Sequence, residues 1–171
     1  MLVGIGSETE VLAPLSRDRG TALGALDRLD PWGTTPLYDA TLSAVNAIEA
    51  ASGRRALILI SDGTDRYSQT KSADLLDRVR RKDVLIYPVA LGRTRDAVFA
   101  EMATVTGGRS FQAADRRGLD AALGAIAREL RHQYLLGYTP AVDERRGWRA
   151  IRVTVARPDL KVRAREGYYI K

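Results

Sequence analysis

The stretch RRALILISDGTD, residues 54 to 65, decides the fold. Its centre, ALILI (56 to 60), is the longest apolar run in the chain and has no polar alternation. A strand with one wet face alternates apolar and polar side chains, so an unbroken run reads as a strand covered on both faces, as in a parallel sheet. Asp62 and Gly63 stop it, one a carboxylate and the other free to turn. VLIYPVAL (84 to 91) has the same character. Between the two lie a polar loop and a helical pattern over 72 to 82, enough chain for a parallel crossover.

The pattern continues outward in both directions. Upstream, a helix is expected from Pro36 to about Ala51. Thr35 suits its N-cap, Pro36 its first position, and Leu37, Ala40, Ala44, Val45 and Ile48 form its apolar stripe. Before it, DPWGT breaks the chain. Ser16 suits the cap of a helix over 17 to 29, with Leu23, Leu26 and Leu29 on one face. LVGIG (2 to 6) and EVLAPL (10 to 15) read as a hairpin. Downstream come a helix from about 95 to 105 ending at TGG, the short strand RSFQA, and the long helix RRGLDAALGAIARELRH. Alternating strands and helices imply an α/β fold: a Rossmann-like, mostly parallel sheet flanked by helices. After residue 132 the period becomes two. QYLLGYTP, WRAIRVTVA and LKVRAREGYYI read as three antiparallel strands joined by turns at VDERRG and RPD. The expected organisation is an α/β domain over 1–132 and a small C-terminal antiparallel β extension over 133–171.

Composition narrows the function. The 171 residues are 45% apolar and 28% charged, as in a globular chain with a full core. Without cysteine there is no disulfide framework, thiolate metal site or thiol catalysis. No apolar run approaches the roughly 20 residues of a membrane-spanning helix, and MLVGIGSETEVLAPL lacks the basic start and continuous apolar run of a signal peptide. The net charge of +6 is concentrated at the end, where residues 143 to 171 carry nine Lys or Arg against four Asp or Glu. Nucleic-acid binding would want denser basic charge with exposed aromatics or a known module, so no nucleic-acid partner is expected.

Six segments in order carry a resemblance: LSRDRGTALGALDRLDPWGTTPLYDA, ALILISDGTD, VLIYPVALG, TGGRSF, ELRHQYLLGYTP and VRAREGYY. Together they resemble the bacterial von Willebrand factor type A (vWA)-related domains over nearly the whole chain. The resemblance implies a non-enzymatic protein-binding or adhesion module with a metal-ion-dependent adhesion site at the C-terminal edge of the sheet. It also implies an extracytoplasmic place: periplasmic, secreted or at the envelope. In that family one loop supplies Asp-x-Ser-x-Ser, a second a Thr and a third an Asp. The ion, Mg²⁺ (or Mn²⁺ or Ca²⁺), takes about six oxygens and leaves a position for an acidic side chain of the protein partner. Carried over, the second loop's residue is Thr35 and the third loop's is Asp62. Thr34 stands where the family has a second glycine, so Thr34 and Thr35 are alternative carriers of that hydroxyl.

The first loop's spelling occurs once, in DATLS (39 to 43), but within the helix expected after Thr35. At about 100° per residue, Asp39 and Ser43 share a face and Thr41 points away, so the three do not converge on one ion. Asp39 reads instead as a charge favoured near a helix N-terminus. The chain is thus expected to lack the family's first strand and loop, leaving a slot in the sheet between LVGIG and ALILIS. The metal site is then partial, and a metal-independent vWA scaffold for protein interaction is the alternative. A further alternative is a metal-assisted phosphohydrolase using Asp62 and Asp65. ISDGT resembles the D-x-D-G-T motif of haloacid dehalogenase-type phosphatases, but Ile60 stands where the nucleophile belongs and forms no aspartyl-phosphate. His132 is expected to end its helix, Asp65 to pair with Arg66 or face solvent, and Lys161, Arg163 and Arg165 to form a solvated face. Tyr134, Tyr138, Tyr168 and Tyr169 are expected to pack the extension on the core.

Overall fold

The computed structural model describes residues 1–29, 33–93, 97–139 and 146–170. Residues 30–32 of the DPWGT break, the start of the helix expected from about 95, and most of the VDERRG turn lie outside the described residues.

The expected α/β architecture is present. Strands β1 (Leu2–Ile5) and β2 (Thr9–Ala13) form an antiparallel hairpin. Helices α1 (Arg19–Leu26) and α2 (Leu37–Glu49) follow. Then β3 (Ala56–Ser61), α3 (Ser72–Arg80), β4 (Leu85–Leu91), α4 (Ala97–Thr106), β5 (Phe111–Ala113) and α5 (Arg116–Arg131) alternate. The three strands form one parallel sheet in the order β3-β4-β5, with Ser61 opposite Ala90 and Leu91 opposite Ala113. Their C-terminal ends therefore line one edge.

Side-chain parity sorts the core into two layers. Leu57 and Leu59 of β3 and Ile86 and Ala90 of β4 meet Leu37, Val45, Leu75, Val79, Phe99 and Met102 from α2, α3 and α4. On the opposite face Tyr87 and Val89 meet Ala122 and Ile126 of α5. The stripe expected on α2 is buried as read. The stripe expected on α1 is not: Leu23, Leu26 and Leu29 are exposed, and Ala25 is the buried residue of that helix. Eight residues packed on a two-stranded hairpin have little surface to bury against. Asp18, not Ser16, caps α1, because the helix starts at Arg19; Asp18 accepts the Gly20 N–H at 2.9 Å and Ser16 Oγ accepts the Asp18 N–H.

β3 departs from a strand covered on both faces. Leu59 is 4% exposed, but Ile58 and Ile60 are 40% and 43% exposed. Helix α5 lies over β4 and β5 and reaches β3 at Ala56. Among the described residues no strand pairs with the other edge of β3. Helix α2 packs against both β1 and β3, and Met1 and Ile5 pack on the same core, yet β1 and β3 do not pair. The sheet is interrupted between LVGIG and ALILIS.

The extension differs from the three expected strands. Among the described residues of the extension only β6 (Gly147–Ala150) and β7 (Gly167–Ile170) pair, antiparallel, and the ladder is prolonged by the Ile151 N–H donating to the Glu166 carbonyl at 2.8 Å. QYLLGYT forms no strand, and Tyr134 is 93% exposed. The period-two pattern finds no apolar layer to bury against: Val155, Leu160 and Val162 face solvent, and a lone two-stranded ribbon is marginal.

Cations fasten the ribbon to the core instead. The Arg80 guanidinium lies over the Trp148 ring at 5.7 Å, and that of Arg81 over the Tyr169 ring at 4.4 Å. Arg163 pairs with Glu129, and Arg165 with Asp83 at 3.1 Å. These two arginines are therefore ion-paired rather than a solvated face, while Lys161 is exposed. Of the four tyrosines, Tyr169 meets the core; Tyr138 is exposed and touches Tyr168 edge-on at 6.4 Å. Gly107, at φ +82°, ends α4 where the Arg165 backbone passes 2.6 Å from where a Cβ would stand. His132 caps α5, its Nδ1 2.7 Å from the Arg128 carbonyl oxygen.

The uneven cover of β3 has a measurable outcome. Leu59→Ala is expected to cost about 2–4 kcal/mol in urea unfolding. Ile60→Thr, on the same strand but facing out, is expected to cost under about 1 kcal/mol. Equal losses would mean that both faces are covered in solution.

Candidate functional site

At the C-terminal edge of the sheet two loops meet, 33–36 before α2 and 62–71 after β3. Gly63, at φ +84°, turns the chain directly after Asp62. The exposed Asp62 carboxylate accepts the Thr64 N–H at 2.9 Å, closing a local turn. The chain then crosses to α2 and is fastened there at four successive points. The Arg66 N–H donates to the Thr35 carbonyl at 2.8 Å. Asp65 Oδ1 accepts the Tyr38 N–H at 3.1 Å and the Ser68 hydroxyl at 2.6 Å. Ser68 Oγ also accepts from the Tyr38 and Asp39 N–H groups, at 3.1 and 3.2 Å. Asp39 returns the contact: its carboxylate accepts the Gln69 and Thr70 N–H groups at 2.8 and 3.1 Å.

This clasp corrects three expectations. Pro36 is the N-cap of α2 and makes no side-chain cap bond, and Thr35 contributes its carbonyl, to Leu37 and Arg66, rather than a capping hydroxyl. The first free N–H groups of the helix are satisfied from outside, by Asp65 and Ser68. A proline N-cap has no side-chain acceptor of its own, so a distant loop supplies one. Asp65, read as pairing with Arg66 or facing solvent, is thus an anchor. Asp39 binds loop amides rather than resting on the helix dipole alone. Within DATLS, Thr41 is buried with its hydroxyl donating to the Leu37 carbonyl at 2.7 Å, and Ser43 is exposed. The three side chains meet different partners.

The sequence-read pair Thr35 and Asp62 lies on neighbouring loops joined through the Arg66–Thr35 bond. A hard divalent cation needs about six oxygens. The Thr35 hydroxyl and the Asp62 carboxylate do not fit that requirement by themselves, and among the described residues no group of three or more His, Cys, Asp or Glu side chains stands placed to hold a metal. Thr34 is tied elsewhere through its backbone: its N–H reaches Ser7 Oγ of the β1–β2 turn at 3.4 Å.

Two features of this edge escaped the sequence reading. Ser68, three residues after Asp65 in a polar loop, carried the signal of a local side-chain turn. Tyr67 carried none. It adopts φ +71°, the one described non-glycine residue with positive φ, and is 80% exposed.

The Asp39 carboxyl is held below its ordinary value, chiefly by the Thr70 hydrogen bond, then by the Gln69 and Thr70 amides, against a burial effect of opposite sign. A carboxylate with a lowered folded-state pKa stabilises the fold above its unfolded value and loses that contribution as pH falls through the folded one. Asp39→Asn is therefore expected to cost about 1 kcal/mol at pH 7. The gap from wild type should close on acidification below the ordinary aspartate range. Chemical unfolding at stepped pH measures it; a gap that is constant with pH would contradict the clasp.

No family model matches the sequence, and no curated protein matches it. Solved structures do. The SpRpn10 VWA domain superposes with a TM-score of 0.57 at 16% identity over 72% of this chain and 69% of that one. The conserved hypothetical protein BatB from Bacteroides thetaiotaomicron gives 0.54 at 14% identity over 74% of this chain and 78% of that one. Likeness at such identities speaks to the fold, and it agrees with the parallel sheet, its flanking helices and the segment order described above. The chain has a von Willebrand factor type A-like fold.

Proposed function

We propose that this chain is a non-enzymatic, vWA-type protein-binding module whose contact surface is the C-terminal edge of the sheet. The observation that carries the reading is the clasp, in which residues 65 to 70 of the loop after Asp62 are hydrogen-bonded to Thr35 and the start of α2. In open α/β sheets this is the edge where ligands gather. A rim fixed in advance loses little conformational entropy on binding. The partner is a protein presenting an acidic side chain. Mg²⁺ (or Mn²⁺ or Ca²⁺) takes part only where oxygens beyond Thr35 and Asp62 are supplied. The metal-independent form of the reading is favoured for these residues, because Asp62 is partly committed to Thr64 and no metal-holding group of three or more His, Cys, Asp or Glu side chains includes it among the described residues. Adhesion at an extracytoplasmic surface belongs to the same proposal. Among the described residues no helix is long and apolar enough to cross a membrane.

Three measurements test the proposal. Peptides selected from a random-peptide phage library against the folded protein are expected to perturb backbone resonances of loops 33–36 and 62–71, leaving the β6–β7 ribbon unmoved. Perturbations confined elsewhere would remove the edge from the reading. Hydrolysis of p-nitrophenyl phosphate with Mg²⁺ is expected to be absent; turnover abolished by Asp62→Ala would replace the binding reading with the phosphohydrolase one. In calorimetric titration, Mg²⁺ and Mn²⁺ are expected to bind more weakly than about 1 mM.

A further inference from the structure

Tyr67 is held in a conformation that its own chemistry disfavours. The left-handed region costs a side-chain-bearing residue roughly 1–2 kcal/mol relative to its preferred backbone, and glycine or asparagine holds such a turn at less cost. Burial of the ring could offset this, but the side chain is 80% exposed and makes no hydrogen bond among the described residues. The backbone on both sides is fixed: Arg66 N–H on the Thr35 carbonyl, Ser68 on Asp65, Tyr38 and Asp39. The pins force the φ angle and turn the ring outward. Neither packing nor backbone preference accounts for a tyrosine here.

Arg66, next to it, is also exposed. Its N–H serves the clasp, while its guanidinium has no acidic partner among the described residues, since Asp65 is turned to Tyr38 and Ser68. A planar ring and an uncompensated planar cation therefore stand side by side on a rim anchored at Thr35, Tyr38 and Asp39. Tyrosine and arginine are, with tryptophan, the residue types enriched among those that dominate protein contacts, the one through rigid apolar area and the other through paired hydrogen bonds to carboxylate.

We infer that Arg66 and Tyr67 form the primary contact for a protein segment presenting a carboxylate beside an apolar side chain, with no metal between them. The carboxylate pairs with the Arg66 guanidinium, and the apolar group lies on the Tyr67 ring. The inference rests on the protein-binding reading above and names the residues and the ligand chemistry of that same edge. In this arrangement the guanidinium supplies the positive charge that Thr35 and Asp62 alone do not gather from a cation.

The test uses the full chain and peptides selected from the random-peptide library, with affinities read by fluorescence anisotropy. Selected peptides are expected to carry Asp or Glu beside Leu, Ile, Phe, Tyr or Trp. Tyr67→Gly and Tyr67→Asn, both compatible with positive φ, are expected to weaken binding about tenfold or more. Tyr67→Phe is expected to stay within about threefold. Arg66→Gln should weaken binding about fivefold and flatten its dependence on salt. The thermal midpoints of Tyr67→Gly and Tyr67→Asn should equal or exceed that of the wild type, which separates loss of contact from loss of fold. Peptides that bind with unchanged affinity to Tyr67→Gly and Arg66→Gln would overturn the inference while leaving the protein-binding reading in place. A library that yields no binding peptide would overturn both.

Discussion

The structure turns on a reciprocal exchange of hydrogen bonds between one helix terminus and one loop. Helix α2 begins at a proline that brings no acceptor, so Asp65 and Ser68 reach across from the 62–71 loop to its first amides. Asp39, from the first turn of α2, answers by binding the amides of Gln69 and Thr70. Each side satisfies groups that the other leaves bare, and these part-buried amides each gain about 1 kcal/mol from a partner. The placement of Thr35 beside the loop that carries Asp62 follows from it, and Tyr67 stands between its anchored neighbours Arg66 and Ser68.

Much of the architecture is legible in the residues because it is set by local periodicity. The apolar stripe of α2, the unbroken run of β4 and the glycine after α4 each lie within one element and need no knowledge of neighbours. What escaped depends on contacts distant in sequence. Thr35 followed by Pro36 reads as a cap and first turn, but the acceptor that serves the helix stands some thirty residues on, at Ser68. Leu23, Leu26 and Leu29 have helical spacing yet face solvent, because spacing says which residues share a face and not whether another layer covers it. Arg163 and Arg165 alternate like a wet strand face but find Glu129 and Asp83. At the candidate edge, motif spelling singles out Asp62 and Thr35 as expectations, whereas the positive φ of Tyr67 is a backbone angle that no residue spelling announces.

The β6–β7 ribbon shows how a weak element is kept in place without a core of its own. Its Trp148, Tyr168, Tyr169 and Ile170 are only half-buried, and its attachment is made of guanidinium groups over aromatic rings and facing carboxylates. Exposed pairs of this kind contribute little singly and weaken with salt. The parallel sheet and the helices packed on it, with Tyr87 of β4 and Phe99 and Met102 of α4 fully enclosed, rest on burial and are indifferent to ionic strength by comparison. The two parts of the chain answer to different solvent conditions.

The uncovered flank of β3 has a colloidal consequence. A strand that ends a sheet with bare backbone groups and outward isoleucines is a template for another polypeptide, and natural edges are normally blunted with lysine, proline or a bulge. Ile58 and Ile60 bring none of these devices. Pairing of that edge with a second polypeptide is therefore the expected route of any self-association, and it should grow with protein concentration.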